Sequence, residues 1–488
     1  MMRITPQRAT VVILAASYAI LFTFLTFRLQ DSFNTYAFDL GNMDQAAWNT
    51  IHGRILAFTN MEGVSTRLGI HCEPTLILVS TIYWLWSNPK ALLLLQTLAL
   101  ASGAIPVYAV ARMELKGRWA PVALAASYLL FPSLEAVNLS EFHTVALSAP
   151  LLLWAFYFAM TDRWAVYAVA SALAAGTKEE VGLDVAMIGL YLAATRRNWR
   201  PAVVAVAGIA WSMIAILVVI PAFNPHNSSP YTGYYAYLGH DIPHVVLTLV
   251  THPWIPVACM VTGTGPAYMN SLLAPVGFLS LLSPERLLLG LPSLLINILS
   301  DDGNMARVNT FHYTAPIIPA IMVAAITGAR RASAVLGTRR PLAAMAETVV
   351  MVVLLASSMV YHRLEGFTPL SVRFSVPAIT AHDMVGYQVL KAVPADASLS
   401  VQDALNPHVS EREKLYIFPR VDDAEYVLAD QLRDSNSSDP EKPSMKHRYE
   451  LRILDDLMKS GDFDVVLKMD GYVLLKRKNG APTFWRPG

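Results

Sequence analysis

Long apolar runs fill most of the chain, and short alternating segments fill the remainder. Runs at 11–29, 91–112, 119–134, 144–160, 164–177, 181–195, 201–221, 268–283, 285–299, 313–329 and 343–361 approach or reach the roughly 20 residues that cross a bilayer as a helix. They predict about eleven membrane spans. Pro132, Pro150, Pro292 and Pro316 are expected to kink or end helices. Glu73–Trp86 is apolar but only about 14 residues long, which suits an interfacial or re-entrant segment.

Charge orients these elements. With Glu73–Trp86 lying along the membrane, Arg112, Lys116 and Arg118 fall on the cytoplasmic side. Arg163, Arg196, Arg197, Arg200, Arg286, Arg330, Arg331, Arg339 and Arg340 join them. Few basic residues remain outside, as the positive-inside rule requires. The N-terminus is expected in the cytoplasm, because Val11–Phe27 is too long for a cleavable signal core. Two long outer loops follow, 30–90 and 222–267, the second rich in Pro, Tyr, His and Gly, with Trp254–Val261 resting on the membrane surface.

From about residue 370 no span remains. Thr380–Val393 and Tyr449–Lys459 have helical periodicity, and Ser398–Val401, Tyr416–Phe418 and Tyr426–Ala429 read as short strands. Phe463–Lys468 and Tyr472–Lys476 read as a hairpin across an Asp-Gly turn. Asp434–Pro443 is a polar, low-complexity loop. The fold class is therefore mainly α: a polytopic helical membrane domain over 1–369, and a small soluble α/β domain over 370–488 on the outer side.

Composition agrees. The chain is 54% hydrophobic and 15% charged, against about 25% charged in soluble domains. Membrane lipid is the first expected partner and the cell membrane the expected location. A net charge of +1 gives no argument for a nucleic-acid partner. Cys72 and Cys259 make no disulfide framework and no metal-like spacing.

The chemistry-bearing residues gather on the outer side. Asp39 and Asp44 follow the first span, and Asp39 sits where a carboxylate can cap a helix. Asp44 lies about one and a half turns later, off the same face. His71 with Glu73, and Glu141 with His143, are two His/Glu pairs at helix entries; as candidate ligands they admit a divalent metal, although two ligands alone do not make a site. Lys178, Glu179 and Glu180 form a charged turn between two apolar runs, where ionisable groups suggest function. Arg307, His312 and Tyr313 enter another span, and Arg and His suit a phosphate. His52, His226, His240, His244 and His252 also fall outside. No nucleotide-binding loop or serine nucleophile motif occurs in a credible context, so the energy for any reaction comes from an activated substrate, and a lipid-linked donor fits.

FDLGNMDQAAWNTIHGR, GIHCEPTLIL, LSEFHTVALSAPLLLWAFY, TKEEVGL, SPERLLLGLPSLLINILS and FHYTAPIIPAI together resemble a family of multi-pass membrane proteins known as domain of unknown function 2079. That family is similar to the GT-C superfamily of integral-membrane glycosyltransferases. The resemblance implies a polyprenyl-phosphate sugar donor, a catalytic carboxylate just after the first helix, and an outer C-terminal domain. Asp39 matches that carboxylate best, with Asp44 as support or alternative base. The adjacent acidic pair common in GT-C sites is absent, since Leu40 follows Asp39. His71, Glu73, Glu141 and His143 are then expected to line the site, and Lys178, Arg307 and His312 to offset the leaving phosphate. The acceptor is an unidentified glycan, lipid or protein. The rival readings are a non-catalytic lipid or glycan binder of the same fold, or an envelope-assembly protein. A transporter fits less well, because the charges avoid mid-span positions.

Overall fold

A computed structural model describes residues 5–226, 231–337, 345–434 and 443–482. Arg339, Arg340 and most of the polar loop 434–443 lie outside the described residues. Among those described, five helices are long and apolar enough to cross a membrane: Pro6–Asp31, Pro89–Glu114, Trp199–Phe223, Ile318–Leu336 and Ala346–Glu365. Two bent pairs raise the number to seven if each is one span. The first helix starts cleanly because Thr5 accepts from the Arg8 N–H and Pro6 opens the first turn, where its missing N–H costs nothing. Val12, Ile13, Ile20, Val203 and Val206 face outward. Apolar faces of this extent are stable against lipid, not water.

Proline and glycine break the other runs. The 119–134 run is two helices, Ala120–Leu129 and Pro132–Leu139, bent by 40° at the turn before Pro132. The runs at 268–283 and 285–299 are not two continuous helices. Gly265–Leu273 gives way to 3-10 turns around Pro275 and Gly277, and the chain continues through Pro284–Leu287 and Leu291–Ile298. Gly277 and Phe278 both take left-handed backbone there, which ends a helix. Pro150 lies in the first turn of Ser148–Met160 and does not kink it. Glu73–Trp86 holds only the short helices Thr75–Ser80 and Thr81–Trp84.

The residues after 380 form helices Ala381–Leu390 and Met445–Ser460 and five strands: β1 Leu399–Val401, β2 Leu415–Ile417, β3 Tyr426–Asp430, β4 Phe463–Met469 and β5 Tyr472–Arg477. The sheet order is β2-β1-β3-β5-β4. β2, β1 and β3 are parallel, and β5 runs antiparallel to β3 and β4. Asp470 and Gly471 make the β4–β5 turn with positive φ at both, the conformation an Asp-Gly hairpin needs.

This sheet unit seats on the loop after the first helix. The Asp403 carboxylate accepts from the Ala37 N–H at 2.9 Å, Asn406 and Asn60 exchange amide hydrogen bonds, and the Gln45 amide donates to Arg412 O at 3.1 Å. At the other end of the bundle Arg286 and Arg330 share Glu114, and Arg331 pairs with Glu285.

Candidate polar cavity at the loop end

The chain leaves the first helix at Asp31 and enters a wide π-turn, Ala37–Gly41, that runs directly into the helix Asn42–Ile51. A π-turn carries one more residue per turn than an α-helix, so it rotates the residues before it relative to those after. Asp39 lies within this turn and Asp44 five residues on in the helix, and their side chains point to different places. Asp39 does not cap its helix; its carboxylate accepts from His143 Nε2 at 3.1 Å and is 40% exposed. Asp44 is fully buried, where the hydroxyls of Tyr83 and Ser410 donate to it. It faces the sheet unit and does not line the cavity, which corrects its expected role as supporting or alternative base.

Asp39 lines a cavity of about 610 Å³. His71, Glu73, His143, Lys178, Glu179, Glu180, His312 and Tyr313 line it too. Lys178, Glu179 and Glu180 form the turn between helices Trp164–Ala175 and Val181–Arg196, and all three are buried. His312 begins a 3-10 turn, His312–Thr314, and its ring stacks on His143 with centroids 3.5 Å apart. The charges are arranged in pairs. His71 Nδ1 lies 2.8 Å from Glu179, Lys178 Nζ 2.8 Å from Glu180, and Arg67 3.0 Å from Glu73. Glu73 also accepts from the Thr144 hydroxyl at 3.1 Å, and Glu179 from the Cys72 N–H at 3.1 Å. Lys178 sits 5.7 Å above the Tyr313 ring, and His71 stacks on Tyr231.

The pairs set the charge states. Burial pushes the Asp39 carboxyl up, but the His143 charge and hydrogen bond, with Arg67 beyond, hold it below the usual range. Burial likewise opposes ionisation of Glu179, and His71 and Lys178 outweigh it, bringing that carboxyl down to about 2. Burial, and after it the electrostatic influence of His143, Lys178, His71 and Arg67, pushes His312 well below the usual histidine range, which favours the neutral ring. Several buried polar atoms of the lining have no partner: Nδ1 of His143, Nδ1 of His312, Nε of Arg67 and Oδ1 of Asn42. An interior rarely leaves such atoms unpaired.

Two further candidates stand apart from the cavity. Glu141 is buried behind it with φ of 67°, and its carboxylate accepts from the Tyr36 and Leu40 N–H groups at 3.0 Å each. It shapes the π-turn from below. Arg307 is exposed and lies over the Phe311 ring, so it does not reach the cavity. His71, Glu73, Glu141 and His143 do not converge as metal ligands. Among the described residues, the group that brings three such atoms within 4.8 Å of one another is His240, Asp241 and His244, outside the cavity. Arg67, Asn42, Asp302 and Tyr231, Tyr234 and Tyr235 line the cavity without having been singled out as site residues. The Tyr cluster of the second loop was visible in the sequence. Nothing in the spacing of Arg67 marks it as the partner of Glu73.

Apolar helices with lipid-facing sides, and a polar cavity lined largely by the loops between them, define a polytopic membrane protein with a buried polar site. Residues 29–474 match the family described as predicted membrane protein (DUF2079), and the chain belongs to that family. No curated protein matches it.

Proposed function

We propose that this protein is an integral-membrane glycosyltransferase of GT-C type, moving a sugar from a polyprenyl phosphate to an acceptor hydroxyl on the outer face of the plasma membrane. The observation that carries the proposal is the Asp39 carboxylate. It is ionised, partly exposed and hydrogen-bonded to His143 in a cavity that also holds Arg67 and Lys178. The acceptor oxygen attacks the anomeric carbon and the bond from that carbon to the phosphate oxygen breaks. The bonding pair leaves with the phosphate, and the acceptor proton passes to Asp39. Lys178 and Arg67 offset the departing charge, the largest electrostatic need of the step, and His312 lines the site beside them. Tyr231, Tyr234, Tyr235 and Tyr313 offer faces for sugar rings. About eleven crossings complete the picture, with the shorter apolar helices Thr144–Met160 and Trp164–Ala175 supported by their neighbours. The N-terminus is then cytoplasmic and the sheet unit outside.

A non-catalytic binder of lipid or glycan is the second reading. Arg67, Lys178 and His71 already hold carboxylates, and that observation favours it. Membranes carrying the wild type or Asp39→Asn, incubated with labelled polyprenyl-phosphate sugars, separate the two. Transfer is expected to fall roughly 100- to 10,000-fold in the variant, the range for losing a general base. Equal transfer by both proteins overturns the mechanism, and donor binding without transfer by either supports the binder.

A further inference from the structure

Outside the cavity, three side chains of metal-binding type meet at the start of the helix Ile242–Thr251. Asp241 caps this helix, its Oδ1 accepting from the His244 N–H at 2.9 Å. The same carboxylate meets two imidazoles. His244 Nδ1 lies 2.6 Å from Oδ1, and His240 Nε2 lies 3.3 Å from Oδ2. The two rings are 3.9 Å apart. A cap needs the carboxylate alone and does not explain why His240 folds back onto His244.

The chain is built for that fold-back. Gly239 passes so close to the helix that a Cβ there would lie 2.7 Å from the His244 Cβ. The Thr248 hydroxyl donates to Leu238 O at 2.7 Å and ties the loop down.

We infer that His240, Asp241 and His244 form a binding site for a divalent transition-metal ion of the zinc class. Zinc bonds of about 2.0–2.1 Å in a tetrahedral site set ligand atoms roughly 3.3 Å apart. The His240 Nε2–Asp241 Oδ2 spacing of 3.3 Å has that value, while His244 Nδ1 lies 2.6 Å from the other oxygen, Oδ1, on an exposed ring that has room to open around an ion. Two imidazoles and one carboxylate select zinc, cobalt or nickel over magnesium and calcium, which take oxygen ligands. The side chains of His240, Asp241 and His244 are 73%, 46% and 52% exposed, so an ion enters from solution and a water completes the shell. Ile242, the next residue, lines the cavity, while its helix buries no residue of its own. A metal here fixes a cavity rim that packing holds weakly. The inference stands apart from the sugar-transfer proposal.

The test uses the full-length protein in detergent with any histidine tag removed. Zn²⁺ is measured by equilibrium dialysis and Co²⁺ by its visible absorption. The wild type is expected to bind one equivalent more than the His240→Ala/His244→Ala double variant, and excess Mg²⁺ not to compete. Asp241→Asn preserves the helix cap, so the fold is kept, yet affinity is expected to fall at least roughly tenfold with loss of the charged ligand. Equal stoichiometry in the wild type and the double variant, or no binding by the wild type, overturns the inference.

Discussion

At the scale of single residues, the cavity depends on which partner each acid has. His143 holds the Asp39 carboxyl below the usual range against burial. A base with that value is ionised from acidic pH upward, so the acid limb of a pH–rate profile is expected below the ordinary aspartate range. Removing the ring in His143→Ala leaves burial as the dominant influence. The limb is then expected to move to higher pH, a shift that a simple loss of folding does not produce. Asp44 behaves in the opposite way. Burial and the Glu411 charge push its carboxyl well above 3.8, although Tyr83 and Ser410 donate to it. A raised carboxyl holds its proton more tightly in the folded state. Its contribution to stability is full below the unfolded value and is lost as pH rises through the folded one. Thermal unfolding across pH is expected to show that loss in the wild type and a flatter profile in Asp44→Asn, which resembles the protonated form. The two acids look alike in the sequence. Both follow the first span, and their offset of about one and a half turns puts them on different faces without saying which face meets the cavity and which the sheet unit.

At the scale of elements, periodicity and punctuation carried most of the information. The Asp-Gly turn and the alternation of 463–476 locate the hairpin, and the short length of Glu73–Trp86 matches the two short helices found there. Where several prolines and glycines interrupt one apolar run, as at 268–299, hydropathy reads continuous helices and the backbone forms turns. The joint between the π-turn and the sheet unit is tight for a different reason. A Cβ on Gly41 would collide with the Asn406 amide, which is engaged with Asn60. Gly41→Ala is expected to cost about 1–3 kcal/mol by overpacking. In an Asn406→Ala background the same change is expected to cost less, because the obstructing amide is gone. Denaturation of the four proteins in detergent measures the coupling, and additive effects would show that the contact is not what makes the glycine necessary.

At the scale of the whole molecule, the boundary near residue 370 marks where apolar runs end, not where an independent domain begins. Phe33, from the loop after the first helix, is fully buried in the core of the sheet unit with Val389, Leu405, Tyr472 and Leu474. Its ring lies 4.1 Å from His408 and 5.1 Å from Tyr387, and Arg433 sits 5.4 Å above it. Its φ of 54° bends the chain so that the ring turns away from the bundle. Composition alone cannot find such a contact, since one Phe in a polar loop looks the same whether it faces lipid or a partner more than 300 residues away. The consequence is a coupling between the sheet unit and the loop that carries Asp39. Truncating the ring in Phe33→Ala leaves a cavity in the core of the sheet unit, and losses of this kind run to about 3–5 kcal/mol. Limited proteolysis after residue 370 is expected to accelerate in this variant, with Phe33→Leu intermediate. Transfer activity, where the wild type shows it, is expected to fall with it, because the Asp403 carboxylate that holds the Ala37 N–H belongs to the same unit. An unchanged cleavage rate in Phe33→Ala would mean that the sheet unit folds without the loop, and the sheet unit and the Asp39 turn would then move independently.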